Sequence, residues 1–239
     1  MKKRKGLWIT AAVLLVLALG MAMYAADYYR AEDTAIAAVA GNAAVTVARS
    51  EDLTVFAPKD PVAGMIFYPG GKVEFTAYAP LLGKLAEQGI LCVLLKMPLN
   101  LAVLDVNAAA EIPERFSEVE NWYLAGHSLG GSMAASFAAK NADIYDGLIL
   151  LAAYSTEDLT RTGLQVCSLY GDRDGVLNLE KYALYRSNLP EDTQEQILEG
   201  GNHAGFGSYG HQEGDGESQL DAGAQIQWTA DRILSFILG

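Results

Sequence analysis

The sequence predicts an α/β fold in which a largely parallel sheet carries helices on both faces. Short apolar runs alternate along the chain with longer segments of helical periodicity. The runs are continuously apolar rather than alternating, which is typical of parallel strands that are buried on both sides. Hydrophobic residues make up 51% of the 239 residues, so the chain can bury a sizeable core.

The predicted strands begin with a hairpin. The stretches 45–47 and 53–56 flank the charged turn 49–52. Later strands are predicted at residues 64–68, 90–95, 122–125, 148–152, 164–170 and 193–199.

The predicted helices lie between these strands. Tyr78, Leu81, Leu82 and Leu85 have the spacing of one helix face, and Gly89 suits the end of that helix. Further helices are predicted over residues 99–116, 130–140 and 176–188, and a last one carries an apolar face formed by Ile226, Ala230, Ile233, Leu234 and Ile237.

The N-terminus predicts a membrane anchor. Residues 2–5 are all basic, and the run 7–26 that follows contains no charged residue. Twenty helical residues span roughly 30 Å, the thickness of the hydrocarbon core of a bilayer. The bulky Met23 and Tyr24 disfavour a cleavage site, so an anchor is favoured over a cleaved secretory peptide. In either case the basic residues stay cytoplasmic, and the rest of the chain is expected outside the cytoplasm.

This interpretation divides the chain into three parts. Residues 1–26 form the anchor, residues 27–42 an alanine-rich linker that is partly helical, and residues 43–239 one folded domain. The membrane is then a partner of the first part alone.

Charge and motifs limit the remaining partners. A net charge of −12 repels phosphate backbones, so nucleic acid is not expected to bind. Ile66 and Val73 replace the first glycine and the Ser/Thr of a phosphate-binding loop, and no dinucleotide motif follows the first βα strand. Asp215, Glu217 and Asp221 lack the spacing of a calcium loop and are interpreted as a solvated acidic loop. Neither a cofactor nor a metal is expected.

The segment Gly126-His127-Ser128-Leu129-Gly130 fits the pattern G-x-S-x-G. This pattern is informative where a sharp strand-to-helix turn presents the serine in a strained, exposed position. Here an apolar strand ends at Ala125 and a helix of small residues follows. Ser128 is therefore the candidate nucleophile.

A serine hydroxyl is a weak nucleophile, so it needs a base, and the base needs an orienting acid. With this pattern the acid and then the histidine follow the serine along the chain. His127 lies inside the motif, and of the other two histidines His203 is favoured over His211 because it follows its strand closely. Asp174 is favoured over Asp172, because it reaches further past the strand end. Asp172 is expected to tie down the turn.

These segments resemble the α/β-hydrolase superfamily, in particular small, lidless members similar to dienelactone hydrolases. The resemblance covers residues 45–239. It rests on Tyr68-Pro69-Gly70-Gly71, the segment from Gly126 to Gly131, Gly171-Asp172-Arg173-Asp174, and the segment from Gly201 to Gly207. Dienelactone hydrolases usually carry a cysteine nucleophile where this chain has Ser128, so the resemblance implies hydrolysis rather than that particular substrate.

The resemblance implies eight strands in the order 1-2-4-3-5-6-7-8. It also implies an oxyanion hole made by the backbone N–H of Leu129 and by that of Gly71 or Lys72. In this order Cys92 and Cys167 lie four strand spacings apart, about 19 Å, too far for a disulfide.

The expected function is hydrolysis of a small-molecule carboxylic ester, with Ser128 as nucleophile, His203 as base and Asp174 as acid. Acyl transfer, thioester cleavage on the same residues, and a catalytically silent binding domain are the alternatives. The short connection between Tyr154 and Leu164 leaves no room for a cap, which predicts an open site and short acyl chains. The anchor points instead toward esters derived from lipids.

Overall fold

The computed structural model describes the backbone of residues 2–239. It describes the side chains of these residues as well, except for residues 2–7, 9, 11, 17, 18, 21, 22 and 222.

The strands of the described chain form one sheet. They are β1 Val45–Arg49, β2 Leu53–Pro58, β3 Ala63–Tyr68, β4 Ile90–Leu95, β5 Trp122–His127, β6 Gly147–Leu151, β7 Gln165–Gly171 and β8 Gln194–Leu198. Their order is β1-β2-β4-β3-β5-β6-β7-β8. β2 pairs antiparallel with β1 and β4, and the other neighbours are parallel. The predicted strands and the implied order are confirmed.

The helices of the described chain are α1 Lys2–Ala26, α2 Asp33–Ala38, α3 Ala79–Glu87, α4 Ile112–Arg115, α5 Leu129–Ala138, α6 Leu179–Tyr185 and α7 Ala222–Leu238. Helices α3 and α7 pack on one face of the sheet and α5 on the other. Short 3₁₀ turns occur at Phe75–Tyr78, Pro98–Asn100, Ala102–Leu104, Arg186–Asn188 and Ala204–Phe206.

The core has two halves because neighbouring strand residues point to opposite faces. In β3, Met65 and Phe67 join the buried residues of α3 and α7, whereas Ile66 and Tyr68 join those of α5. Parallel strands bring their carboxyl ends to one edge of the sheet, so the loops after β3, β5, β7 and β8 meet there.

The predicted helix over residues 99–116 is wrong. The chain instead makes two 3₁₀ turns and the four-residue helix α4. Leu99 and Asn100 have φ of 51° and 55°, which a right-handed helix does not allow. The Tyr68 hydroxyl donates to the Val106 carbonyl at 2.8 Å, so an oxygen that a continuous helix would use is bonded to the sheet. Pro113 fits the first turn of a helix, and α4 begins beside it.

The segment 27–42, predicted to be a linker, packs against the domain. Tyr29 forms a parallel bridge with Val73, and α2 buries Ala35 completely. These contacts lie at the sheet edge that carries the predicted site residues.

The anchor predicted for residues 1–26 falls partly on side chains outside the description. Over the part of the chain that the structure describes, no helix has the combined length and hydropathy needed to cross a bilayer. The anchor stays a prediction.

Both cysteines are free and buried. Cys92 lies in β4 and Cys167 in β7, with three strands between them. The prediction that they are not bonded to each other is confirmed. Burial raises the pKa of the Cys167 thiol to about 12, so it stays protonated at neutral pH.

Candidate active site

Ser128 sits on the turn between β5 and α5. Its φ of 53° and ψ of −124° are unusual for a residue with a side chain. Two glycines permit the close packing around this turn. A Cβ on Gly126 would lie 2.6 Å from the carbonyl carbon of Gly130, and one on Gly130 would lie 2.3 Å from the Tyr68 oxygen. The sharp turn expected from the sequence pattern is therefore present.

Asp174 and His203 form a buried pair at the same sheet edge. His203 Nδ1 lies 2.8 Å from Asp174 Oδ2, and both side chains are 1% exposed. The other carboxyl oxygen, Oδ1, accepts the backbone N–H groups of Val176 and Leu177 at 2.9 and 2.7 Å. Because a carboxylate oxygen accepts, His203 donates from Nδ1, and Nε2 is its other ring nitrogen.

Ser128 and His203 line one cavity of about 240 Å³. Its other walls come from the start of α5, from residues 152–154 and from residues 176–178. His203 Nε2 is buried, and no group within residues 2–239 hydrogen-bonds to it. The residue whose second ring nitrogen has no partner thus lines the same cavity as the serine.

The loop after β3 and the start of α5 each carry a backbone N–H group without an acceptor in the described chain. A Cβ on Gly71 would lie 2.9 Å from Leu129 Cδ2, so the loop after β3 touches the start of α5. The N–H of Gly70 donates to the Tyr78 hydroxyl at 3.0 Å, and that of Lys72 donates to the Asn100 carbonyl at 2.8 Å. In the described chain the N–H groups of Leu129 and Gly71 have no acceptor. Of the two alternatives, Gly71 has the free donor and Lys72 does not.

His127 is buried next to His203 and does not line the cavity that contains Ser128. It is 1% exposed, and its Nδ1 lies 2.8 Å from the Tyr78 hydroxyl. Its ring is centred 4.5 Å from the ring of His203. Burial, together with the neighbouring His203, lowers the pKa of His127 well below its usual range, so His127 stays neutral.

The disfavoured candidates lie elsewhere. Asp172 accepts the N–H of Gly200 at 2.7 Å and so ties the loop after β7 to the loop after β8, as expected of a turn residue. His211 is exposed and lines two other cavities, of about 340 and 440 Å³, to which Ser128 does not contribute.

Asp215 is a residue whose role the sequence analysis missed. The expected solvated carboxylate is instead half-buried. Its Oδ1 accepts the N–H groups of Gly175, His203 and Gly216 at 3.0, 3.2 and 2.9 Å, and its Oδ2 accepts that of Ala204 at 2.8 Å. It joins the loop of the acid to the loop of the base. An aspartate within a glycine-rich segment close to His203 was the available signal.

Among the described residues, no cluster of three or more His, Cys, Asp or Glu side chains could hold a metal ion.

Several solved structures share this fold. A CIB-like hydrolase from Thermoplasma acidophilum matches with a TM-score of 0.59 and 16% identity, over 80% of this chain and 99% of its own. Est1E from Butyrivibrio proteoclasticus matches with a TM-score of 0.58 and 14% identity, over 82% of this chain and 100% of its own. At such identities the likeness concerns the fold.

Sequence comparison identifies the family. No curated protein matches the sequence significantly. The sequence model of the alpha/beta hydrolase family matches residues 64–227, which include Ser128, Asp174 and His203. The chain therefore belongs to the α/β-hydrolase family and is a hydrolase.

Proposed function

We propose that this hydrolase cleaves carboxylic esters through an acyl-enzyme on Ser128. One observation carries the proposal. The His203–Asp174 pair leaves Nε2 of His203 without a partner, and His203 and Ser128 line the same cavity. A general base for a serine needs this arrangement, with its second nitrogen held by a carboxylate.

The proposed reaction has two halves. Ser128 Oγ attacks the acyl carbon while His203 Nε2 takes its proton, and the charge that develops on the carbonyl oxygen is stabilised by the N–H groups of Leu129 and Gly71. His203 then protonates the leaving alcohol. In the second half a water gives its proton to His203 and attacks the acyl carbon, and His203 passes that proton to Ser128 Oγ as the acyl–oxygen bond breaks. Asp174 holds the ring of His203 and stabilises its charged form.

The cavity favours small acyl groups. Its volume of about 240 Å³ is below the roughly 300–1,000 Å³ of cavities that enclose drug-sized ligands. Residues 152–164, between β6 and β7, form neither a helix nor a strand, so this connection supplies no cap. We therefore propose a small, lidless esterase that resembles dienelactone hydrolases in architecture.

A fluorophosphonate probe tests the reaction class. Covalent labelling requires an activated serine, so the wild-type chain should be labelled and Ser128→Ala should not. A wild-type chain that folds but is neither labelled nor active on p-nitrophenyl esters would be a silent binding domain, and the proposal would fail.

We also propose that residues 1–26 hold the catalytic domain at a membrane, outside the cytoplasm. The basic residues 2–5, followed by the uncharged run 7–26, support this. Alkaline carbonate extraction of membranes tests the anchor, and protease protection tests the side. Release of the full-length chain into the carbonate supernatant would contradict the proposal.

A further inference from the structure

Residues 27–34, which we call the strap, lie across two loops of the candidate site. The loop after β3 contains Gly71, and the loop after β8 contains His203. Neither loop is held only by its own strand, because the strap makes hydrogen bonds to both.

The strap binds the first loop through its backbone. The N–H of Tyr29 donates to the Lys72 carbonyl at 2.8 Å, and the N–H of Glu74 donates to the Tyr29 carbonyl at 2.8 Å. The Glu74 carboxylate accepts the N–H of Ala31 at 3.0 Å. Lys72 Nζ also pairs with Asp27 at 2.5 Å, but the Asp27 side chain is 81% exposed, so this pair contributes little.

The strap binds the second loop at Ser208. The N–H of Glu32 donates to the Ser208 carbonyl at 2.9 Å, and the Ser208 hydroxyl donates to Glu32 Oε2 at 3.0 Å. The Thr34 hydroxyl lies 2.6 Å from the same hydroxyl. Beyond Ser208, the N–H of Glu213 donates to the Tyr29 hydroxyl at 3.1 Å. Tyr29 thus contacts both loops.

The contact with Lys72 bears directly on Gly71. Lys72 has a φ of 57°, a conformation that a lysine adopts only under constraint. Its N–H is bonded to Asn100 and its carbonyl to Tyr29, and the N–H of Gly70 is bonded to Tyr78. The residues on either side of Gly71 are fixed, so the direction of the Gly71 N–H is fixed as well.

We propose that Tyr29 is a positioning residue of the hydrolase, which holds the Gly71 N–H where the substrate oxyanion forms. The inference rests on the proposed esterase function. A displaced donor weakens an interaction that is strongest in the transition state, so its loss lowers kcat and leaves KM nearly unchanged.

The test compares two proline substitutions in the full-length protein in detergent micelles. Tyr29→Pro removes the N–H that binds Lys72, together with the hydroxyl that accepts the N–H of Glu213. Arg30→Pro is the matched control, because in the described chain the N–H of Arg30 has no acceptor. We expect Tyr29→Pro to lower kcat for p-nitrophenyl acetate about tenfold or more, with KM within about twofold of wild type. Arg30→Pro should stay within about twofold of wild type in both constants.

A second measurement reports on the oxyanion site itself. A thionoester develops its charge on sulfur, a weak hydrogen-bond acceptor, and depends less on the donors. The ratio of ester to thionoester turnover should therefore fall in Tyr29→Pro. Should Tyr29→Pro fold poorly, Glu74→Ala loosens the strap from the loop side. It should lower kcat and the ratio, and Glu74→Gln, which keeps an acceptor oxygen, should restore both.

The outcomes separate the two proposals. Suppose that the wild type is active, and that Tyr29→Pro and Arg30→Pro have the same kcat and the same ratio of ester to thionoester turnover. This result overturns the role of Tyr29 and does not affect the proposed esterase function. Equal loss in Glu74→Ala and Glu74→Gln also overturns it. A wild type without esterase activity overturns the proposed function and this inference together.

Discussion

The backbone N–H of His203 donates to Oδ1 of Asp215 at 3.2 Å, and the same oxygen accepts the N–H of Gly175 at 3.0 Å. Gly175 follows Asp174 directly. One carboxylate therefore fixes the backbone beside both members of the buried pair, although it lines no part of the cavity that contains Ser128. The distance between acid and base depends on this third side chain.

We expect Asp215→Ala to lower kcat/KM about 10- to 100-fold. The substitution leaves four backbone N–H groups without their acceptor and allows the loops after β7 and β8 to separate, and small displacements of reacting groups are costly. Asp215→Asn keeps one acceptor oxygen, so its kcat/KM should lie between those of wild type and Asp215→Ala. Ester hydrolysis by the purified variants measures this.

The control for Asp215 is Glu217→Gln. Glu217 is exposed two residues away and should tolerate the change without loss of kcat/KM. If Asp215→Ala matched wild type, the link between the two loops would have no importance for catalysis.

Ser128→Ala should abolish probe labelling and lower ester turnover by a factor of about 1,000 or more. His203→Ala should lose nearly as much, because the serine then lacks its base. His211→Ala should keep most of the activity, since His211 is exposed and lies outside this cavity. Greater damage from His211→Ala than from His203→Ala would show that the base is wrongly assigned.

The buried His127 should make the folded protein less stable in mild acid. Its pKa is lowered by folding, so below its ordinary value of 6.5 the unfolded chain binds a proton that the folded chain does not. Stability from this group is thus complete above that pH and falls as the pH drops, by at most about 1.4 kcal/mol per pH unit. Urea unfolding between pH 7 and pH 5 measures the slope.

The variant His127→Gln isolates this effect from the other titrating groups. It removes the proton-binding imidazole and substitutes a polar amide that does not titrate. The free energy of unfolding should depend less steeply on pH in this variant than in wild type. Identical slopes in wild type and His127→Gln would mean that His127 is not buried as a neutral ring.

The strands and the serine turn were predictable because their signals are local. Except for the polar edge strand β8, each strand of the parallel part is a largely apolar run between turn residues, and G-x-S-x-G requires only five consecutive residues. The pair of Asp174 and His203 needed one further rule, that residues after parallel strands meet at one edge. Positive φ at Leu99 and Asn100 was not predictable, since leucine disfavours it and asparagine, although it tolerates it, adopts it only occasionally.

Contacts between distant segments were the other failure. Asp215 binds Gly175 across 40 positions, and Glu213 binds Tyr29 across 184. From composition, the segment around Asp215 is an acidic loop and the segment around Tyr29 is a linker. The hydrogen bonds that hold both segments to the domain become visible only in the folded structure.

The last prediction concerns acyl length. Full burial of a methylene contributes about 0.8 kcal/mol, close to a fourfold gain in kcat/KM per carbon. A cavity of about 240 Å³ under an uncapped connection should give this gain for the first few carbons only, so turnover should peak between acetate and about hexanoate. Soluble p-nitrophenyl esters test this on a chain that begins at residue 27 and keeps the strap, without detergent. A steady rise of kcat/KM to long acyl chains would contradict this prediction, because it requires a deeper pocket. Residues 99–116 do not form the predicted helix, and none of them lines this cavity.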